Sequence, residues 1–106
     1  MIRIFLFGIN GKMGRFVCDQ AEKSDDFVVV GGFDRVPHPT IRTYADIKEV
    51  PGDFDVVIDF SRAELLPSII ALCEKYGKPA VIASTGYSDE QLADIAKLSE
   101  KVAVLR

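Results

Sequence analysis

The chain has 106 residues, 48% hydrophobic and 27% charged, the composition of one ordinary globular domain rather than of a disordered or fibrous chain. A formal net charge of -3 and an isoelectric point near 5.1 argue against nucleic acid as the main partner. No apolar run approaches the ~20 residues that cross a bilayer, and the apolar start Met1 to Ile9 has no signal-cleavage pattern, so no membrane partner and a cytoplasmic location are expected.

Apolar runs of strand length alternate with helical patterns, which predicts an α/β fold: a mainly parallel, doubly wound sheet of Rossmann type with helices on both faces. Ile2 to Phe7 is a nearly unbroken apolar run, as a strand buried on both faces requires. A glycine-rich turn, Gly8 to Gly14, follows. From Gly11 to Lys23, the residues Met13, Phe16, Val17 and Ala21 recur at helical spacing and are expected to face the sheet. Phe27 to Phe33 reads as the second strand, ending at Asp34.

Arg35 to Arg42, with two prolines, reads as a loop; Thr40 to Thr43 predicts a short strand and Tyr44 to Val50 a turn of helix. Phe54 to Phe60 is a buried strand, followed by a helix from Ser61 to Tyr76. Pro67 belongs in that helix's first turn, and Gly77 suits a left-handed cap at its end. Pro79 to Ser84 predicts a strand, Thr85 to Tyr87 a loop, and Lys101 to Leu105 a last strand. Between these, Ser88 opens a helix with a capping box to Gln91, its apolar face made by Leu92, Ile95 and Ala96.

The two cysteines, Cys18 and Cys73, fall far apart on helices and read as small buried or half-buried apolar groups. The single histidine, His38, sits between two prolines on a loop, and no metal site is expected. No repeat or linker interrupts the chain, so residues 1–106 read as one unit.

Four segments carry chemistry. Gly8-Ile9-Asn10-Gly11-Lys12-Met13-Gly14 is a variant of the dinucleotide fingerprint in which Asn10 takes the second glycine position. Lying between a strand and a helix, it lets the chain turn at Gly8, admits a pyrophosphate near Gly11 and packs the helix at Gly14. The helix's free N–H groups and dipole then favour phosphate. A merely flexible strand-to-helix turn is the alternative.

Asp34 ends the second strand, 20 positions beyond Gly14, where an acidic side chain accepts the adenosine ribose hydroxyls of NAD. Arg35 offers a counter-charge to a 2′-phosphate. Charge-assisted hydrogen bonds contribute roughly 1.5–3 kcal/mol each, so the pair sets cofactor choice: NADH at least as well as NADPH. An ordinary Asp-Arg turn is the alternative.

Asp59-Phe60-Ser61 ends the next long strand. With Thr40 to Thr43 as third strand, the order becomes 3-2-1-4-5-6, and Phe60 and Ser61 line the cleft at the switch point. Capping of the following helix toward Glu64 explains Ser61 equally well. Ala83-Ser84-Thr85-Gly86-Tyr87 ends the strand after that, on the same sheet edge. Its small hydroxyl residues suit a nicotinamide ring and carboxamide; a plain loop is the alternative.

Together these segments resemble the N-terminal cofactor domain of the dihydrodipicolinate reductase family across essentially the whole chain. The glycine loop matches that family's G-x-x-G-[RK]-M-G, and VIDFS, ASTGY and SDEQ follow in order; Ala83 replaces a common glycine. The resemblance implies NAD(P)H-dependent reduction of a cyclic unsaturated dicarboxylate on the way to diaminopimelate and lysine. It implies that Gly8, Asn10, Gly11, Lys12 and Met13 hold the pyrophosphate and that Asp34 with Arg35 holds the adenosine ribose. It places Phe60, Ser61, Ala83, Ser84 and Thr85 along the nicotinamide half. The family keeps its substrate site, catalytic histidine and lysine, and tetramer contacts in a second domain that would follow Arg106. The expectation is therefore a cofactor-binding unit with no catalytic residue of its own, monomeric and without turnover in isolation. Rival readings are the cofactor domain of another NAD(P)-dependent dehydrogenase, a non-catalytic NADH sensor, or a scaffold that has lost nucleotide binding.

Overall fold

A computed structural model describes every residue, Met1–Arg106. Its centre is strand β1 (Ile2–Phe7), whose side chains alternate between two cores. Phe5 and Phe7 point into a larger cluster, while Ile4 and Leu6 point into a smaller one on the opposite face. A strand buried on both faces has no place for polar side chains, which is why its last four residues are all apolar.

β2 (Phe27–Phe33), β3 (Thr43–Tyr44), β4 (Val56–Asp59), β5 (Ala80–Ile82) and β6 (Val104–Leu105) complete a six-stranded sheet. Every neighbouring pair is parallel, in the order β3-β2-β1-β4-β5-β6. That order reverses direction at β1, leaving a crevice at the carboxyl ends of β1 and β4. Helix α1 (Lys12–Glu22) covers the smaller core; α2 (Leu66–Tyr76) and α3 (Asp89–Ser99) cover the larger one. No helix is long and apolar enough to cross a membrane.

Boundary features follow the local chemistry. Ser88 and Gln91 form the expected reciprocal capping box. Gly77 ends α2 at φ +64, and Pro67 lies within that helix's first turn. Both cysteines are buried and unpaired.

Several expectations are corrected. Met13 and Phe16 do not face the sheet; they are 47% and 55% exposed. Gly14 and Cys18 are the buried residues of α1 instead, because the close approach of Gly14 to the β1 turn sets the rotation of the whole helix. Ala96 is exposed, and Leu98 joins Ile95 in the core. The third strand is Thr43–Tyr44, later than predicted, where the Tyr44 ring packs 6.2 Å from that of Phe5. The residues after β4 do not enter an α-helix at Ser61: a 3-10 turn at Ala63–Leu65 intervenes. The last strand shrinks to two residues at the sheet edge.

Candidate functional site

All strand exits that matter leave along one edge of the sheet. Backbone bonds hold them level: Gly8 N donates to Phe33 O at 3.3 Å, Phe60 N to Phe7 O at 3.0 Å and Ala83 N to Asp59 O at 3.0 Å. The glycine turn is built for close approach. Gly8 has φ +80, and a Cβ there would stand 2.8 Å from the Phe60 carbonyl oxygen. Gly11 caps α1 with extended backbone and no side-chain cap, so the helix's first N–H groups are not taken by a cap side chain. A Cβ on Gly11 would meet only the Gly8 carbonyl oxygen, at 3.4 Å.

Two adjoining clefts run along this edge. One, of about 310 Å³, is lined by Gly8, Gly11, Phe33, Asp34 and Arg35, together with Ser61, Arg62 and Leu65. Asp34 is braced at its mouth: its Oδ2 accepts from Asn10 N and its Oδ1 from Val36 N, both at 3.3 Å. The Asn10 amide reaches across to the Val36 carbonyl and clasps the two turns together. A carboxylate has about four acceptor positions, so Asp34 retains capacity for two ligand hydroxyls.

The second cleft, of about 540 Å³, lies between the exits of β4 and β5. Met13, Phe60, Ser61, Ala83, Ser84 and Thr85 line it, and Ser61 and Arg62 are shared with the first cleft. The two volumes fall in the range of small-molecule and cofactor sites. An elongated ligand with an anionic middle fits this pair: a vicinal diol at Asp34, an anion at the glycine turn and Arg62, and a flat polar ring beyond.

Of the residues singled out from sequence, the structure brings eleven to these clefts or their bracing, counted from Gly8, Asn10, Gly11, Met13, Asp34, Arg35, Phe60, Ser61, Ala83, Ser84 and Thr85. Lys12 is the exception. It lines neither cleft and lies instead beside Asn10, Arg15 and Asp19 in a separate surface recess along α1. Helix capping by Ser61 is excluded, since its hydroxyl donates to Asp59 and the cap of the 3-10 turn is Arg62. His38 serves its own loop: its Nδ1 accepts from Thr40 N and Ile41 N, both at 3.1 Å.

Sequence reasoning missed Arg62, and it gave Asp59 and Tyr87 no role although they lie in two of the segments it singled out. Arg62 gave no signal, being one cation after a strand. Asp59 did: a carboxylate closing an otherwise apolar strand is out of place unless its partners are supplied. It is fully buried and accepts from Ser61, Ser84 and Tyr87. Burial above all, with the Asp59 carboxylate adding to it, pushes the Tyr87 hydroxyl above its ordinary value, so at neutral pH it is a donor.

A family model described as dihydrodipicolinate reductase, N-terminus, matches residues 2–106. The chain belongs to that family. It is 40% identical over its whole length to a 4-hydroxy-tetrahydrodipicolinate reductase of Caldanaerobacter subterraneus, covering 43% of that protein. With the enzyme of the same name from Clostridium botulinum it shares 42% identity, covering 42% of it. The chain thus spans about two-fifths of the curated relatives it matches. Among solved structures, a dipicolinate-bound dihydrodipicolinate reductase from Paenisporosarcina sp. TG-14 superimposes with a TM-score of 0.78 at 23% identity, over 94% of this chain and 43% of that one. The WlbA dehydrogenase of Thermus thermophilus, solved with NAD and alpha-ketoglutarate, gives 0.74 at 17% identity, over 98% and 40%. These last two likenesses establish the doubly wound fold. In this dihydrodipicolinate reductase N-terminus, the family's glycine loop and the segments after β4 and β5 are the parts that form the two clefts.

Proposed function

We propose that residues 1–106 hold NADH or NADPH as the cofactor domain of a cytoplasmic 4-hydroxy-tetrahydrodipicolinate reductase. That enzyme reduces a cyclic unsaturated dicarboxylate by hydride transfer, a step toward diaminopimelate and lysine. The observation that carries the reading is the continuity of the two clefts past Ser61 and Arg62, with the braced Asp34 at one end.

Asp34 accepts the adenosine ribose hydroxyls, and Arg35 stands beside it as the counter-charge that tolerates a 2′-phosphate. Gly8, Asn10, Gly11 and Met13, with the Lys12 backbone N–H, receive the pyrophosphate at the start of α1. Arg62 faces the same anion from the β4 side. Phe60, Ser61, Ala83, Ser84 and Thr85 form the nicotinamide half. When bound, the cofactor supplies the hydride. Substrate binding, proton donation and the family's assembly fall to parts of the longer relatives outside the segment matched here, so this segment alone binds cofactor as a monomer without turnover.

Calorimetric titration with NADH and NADPH tests the reading. Saturable binding is expected, weakened for NADH by Asp34→Ala and for NADPH by Arg35→Ala. A folded sample that binds neither dinucleotide at millimolar concentration refutes it. A redox sensor, by contrast, must separate NADH from NAD strongly, and the same titration with NAD decides that alternative.

A further inference from the structure

Asp59 is the one buried charged side chain, 0% exposed, at a strand position where valine or isoleucine would suit the sheet. Its two oxygens divide their work between two loops. Oδ1 takes the β4 exit, accepting Ser61 N at 2.8 Å and the Ser61 hydroxyl. Oδ2 takes the β5 exit, accepting Ser84 Oγ at 2.7 Å and the Tyr87 hydroxyl at 3.4 Å. Strand pairing between β4 and β5 ends at Asp59 and Ile82; beyond it, besides the Ala83 N to Asp59 O and Gln91 Nε2 to Ala63 O bonds, the carboxylate is the side chain that ties Ser61 to Ser84 across the larger cleft.

The bonds also fix polarity. A serine hydroxyl has one proton and two lone pairs. With that proton committed to Asp59, Ser61 and Ser84 can present only lone pairs to a ligand in the cleft. Arg62, the one cationic side chain lining this cleft, sits where it joins the smaller one. The far end therefore offers acceptors with a carboxylate behind them, an arrangement that favours an N–H donor and disfavours an anion.

We propose that Asp59 is a positioning and specificity-determining residue: by holding Ser61 and Ser84 as acceptors, it selects the carboxamide of a nicotinamide over the carboxylate of the nicotinic acid dinucleotide. This rests on the cofactor reading given above. The carboxamide NH2 donates to Ser84 or Ser61, whereas a carboxylate set against these two hydroxyls meets their lone pairs. Asp59 itself does not touch the ligand. Replacing it with asparagine supplies an NH2 in place of one acceptor, which turns a hydroxyl around and frees its proton for the cleft.

The test is calorimetric titration of the chain with NADH, its reduced nicotinic acid counterpart, and ADP-ribose, which reports the adenosine half alone. The wild-type chain is expected to bind NADH at least tenfold more tightly than the acid analogue. In Asp59→Asn, NADH weakens about tenfold, the amide-over-acid preference collapses, and ADP-ribose stays within twofold. Ser84→Ala, at a partly exposed position, reduces the preference in the same direction and decides the matter if Asp59→Asn does not fold. Equal wild-type affinity for amide and acid overturns the inference while leaving the cofactor reading intact. So does a parallel loss of NADH and ADP-ribose in both variants, the mark of a merely structural carboxylate. Failure of the wild-type chain to bind ADP-ribose and NADH alike removes the cofactor reading itself, and this inference with it.

Discussion

Gly14 lies against Gly8: a Cβ on Gly14 would stand 2.2 Å from the Gly8 carbonyl oxygen and 2.6 Å from that of Ile9. Both obstacles are backbone, so the turn has to move if Gly14 gains a side chain. Gly14→Ala is expected to lower stability by about 1–3 kcal/mol, read by urea unfolding, and to weaken dinucleotide binding. Gly77→Ala is the control. Its φ of +64 strains alanine by about 1–2 kcal/mol, but no atom lies within 4 Å and the site is remote, so binding is retained. Equal binding by both variants would mean that the glycine turn does not position the ligand.

The cysteines are expected to be inert in the folded chain. Burial pushes the Cys73 thiol up to about 12, with Glu74 adding to it, and burial likewise raises Cys18. Thiol labelling at pH 8 should modify neither in native buffer and both in denaturant. The sign of the linkage follows: unfolded Cys73 ionises near its ordinary 9.0 while the folded thiol stays protonated. Stability is thus full below pH 9 and falls as pH rises toward about 12.

Acid should release the start of the sheet. The Arg3 guanidinium and backbone N–H hold the Asp55 carboxyl down at about 2, against an ordinary 3.8. A depressed carboxyl stabilises the fold above pH 3.8 and loses that contribution as pH falls through about 2. Asp55→Asn is expected to be less stable than wild type at pH 6, with the gap closing near pH 2 in acid titrations followed by circular dichroism. A gap that persists unchanged at pH 2 would assign the effect to packing.

The aromatic core supplies a graded pair. Phe54 is fully buried, its ring 5.6 Å from Phe5 and 5.7 Å from Tyr76. Phe54→Ala should cost about 3–5 kcal/mol. Tyr76 donates its hydroxyl to the Val50 carbonyl at 2.6 Å, tying α2 to the segment before β4. Tyr76→Phe removes that bond alone and should cost about 0.5–1.5 kcal/mol, measured by the same denaturant midpoint. A Tyr76→Phe loss as large as that of Phe54→Ala would mean that the hydroxyl bond to Val50, rather than ring packing, is what anchors α2.

Strand order and the crevice at the carboxyl ends were legible because β1 and β4, apart from Arg3 and Asp59, are apolar on both faces, as central strands of a parallel sheet require. The glycine turn, Asp34 and the segments after β4 and β5 could be read for the same reason: each is a local pattern whose chemistry acts within a few residues. Local periodicity misread α1, assigning Met13 and Phe16 inward, because the helix's rotation is set by Gly14 meeting the turn before it.

The amino-acid sequence by itself therefore determined the parallel doubly wound architecture, the glycine turn between β1 and α1 and the acidic residue after β2. Only the tertiary structure decided that the Lys12 side chain stands outside both clefts, that Arg62 joins them, and that Asp59 binds Ser61, Ser84 and Tyr87. Hydrophobic period and turn chemistry are written into neighbouring residues. The partners of a buried carboxylate come together from segments about 25 residues apart only when the strands that carry them are laid side by side.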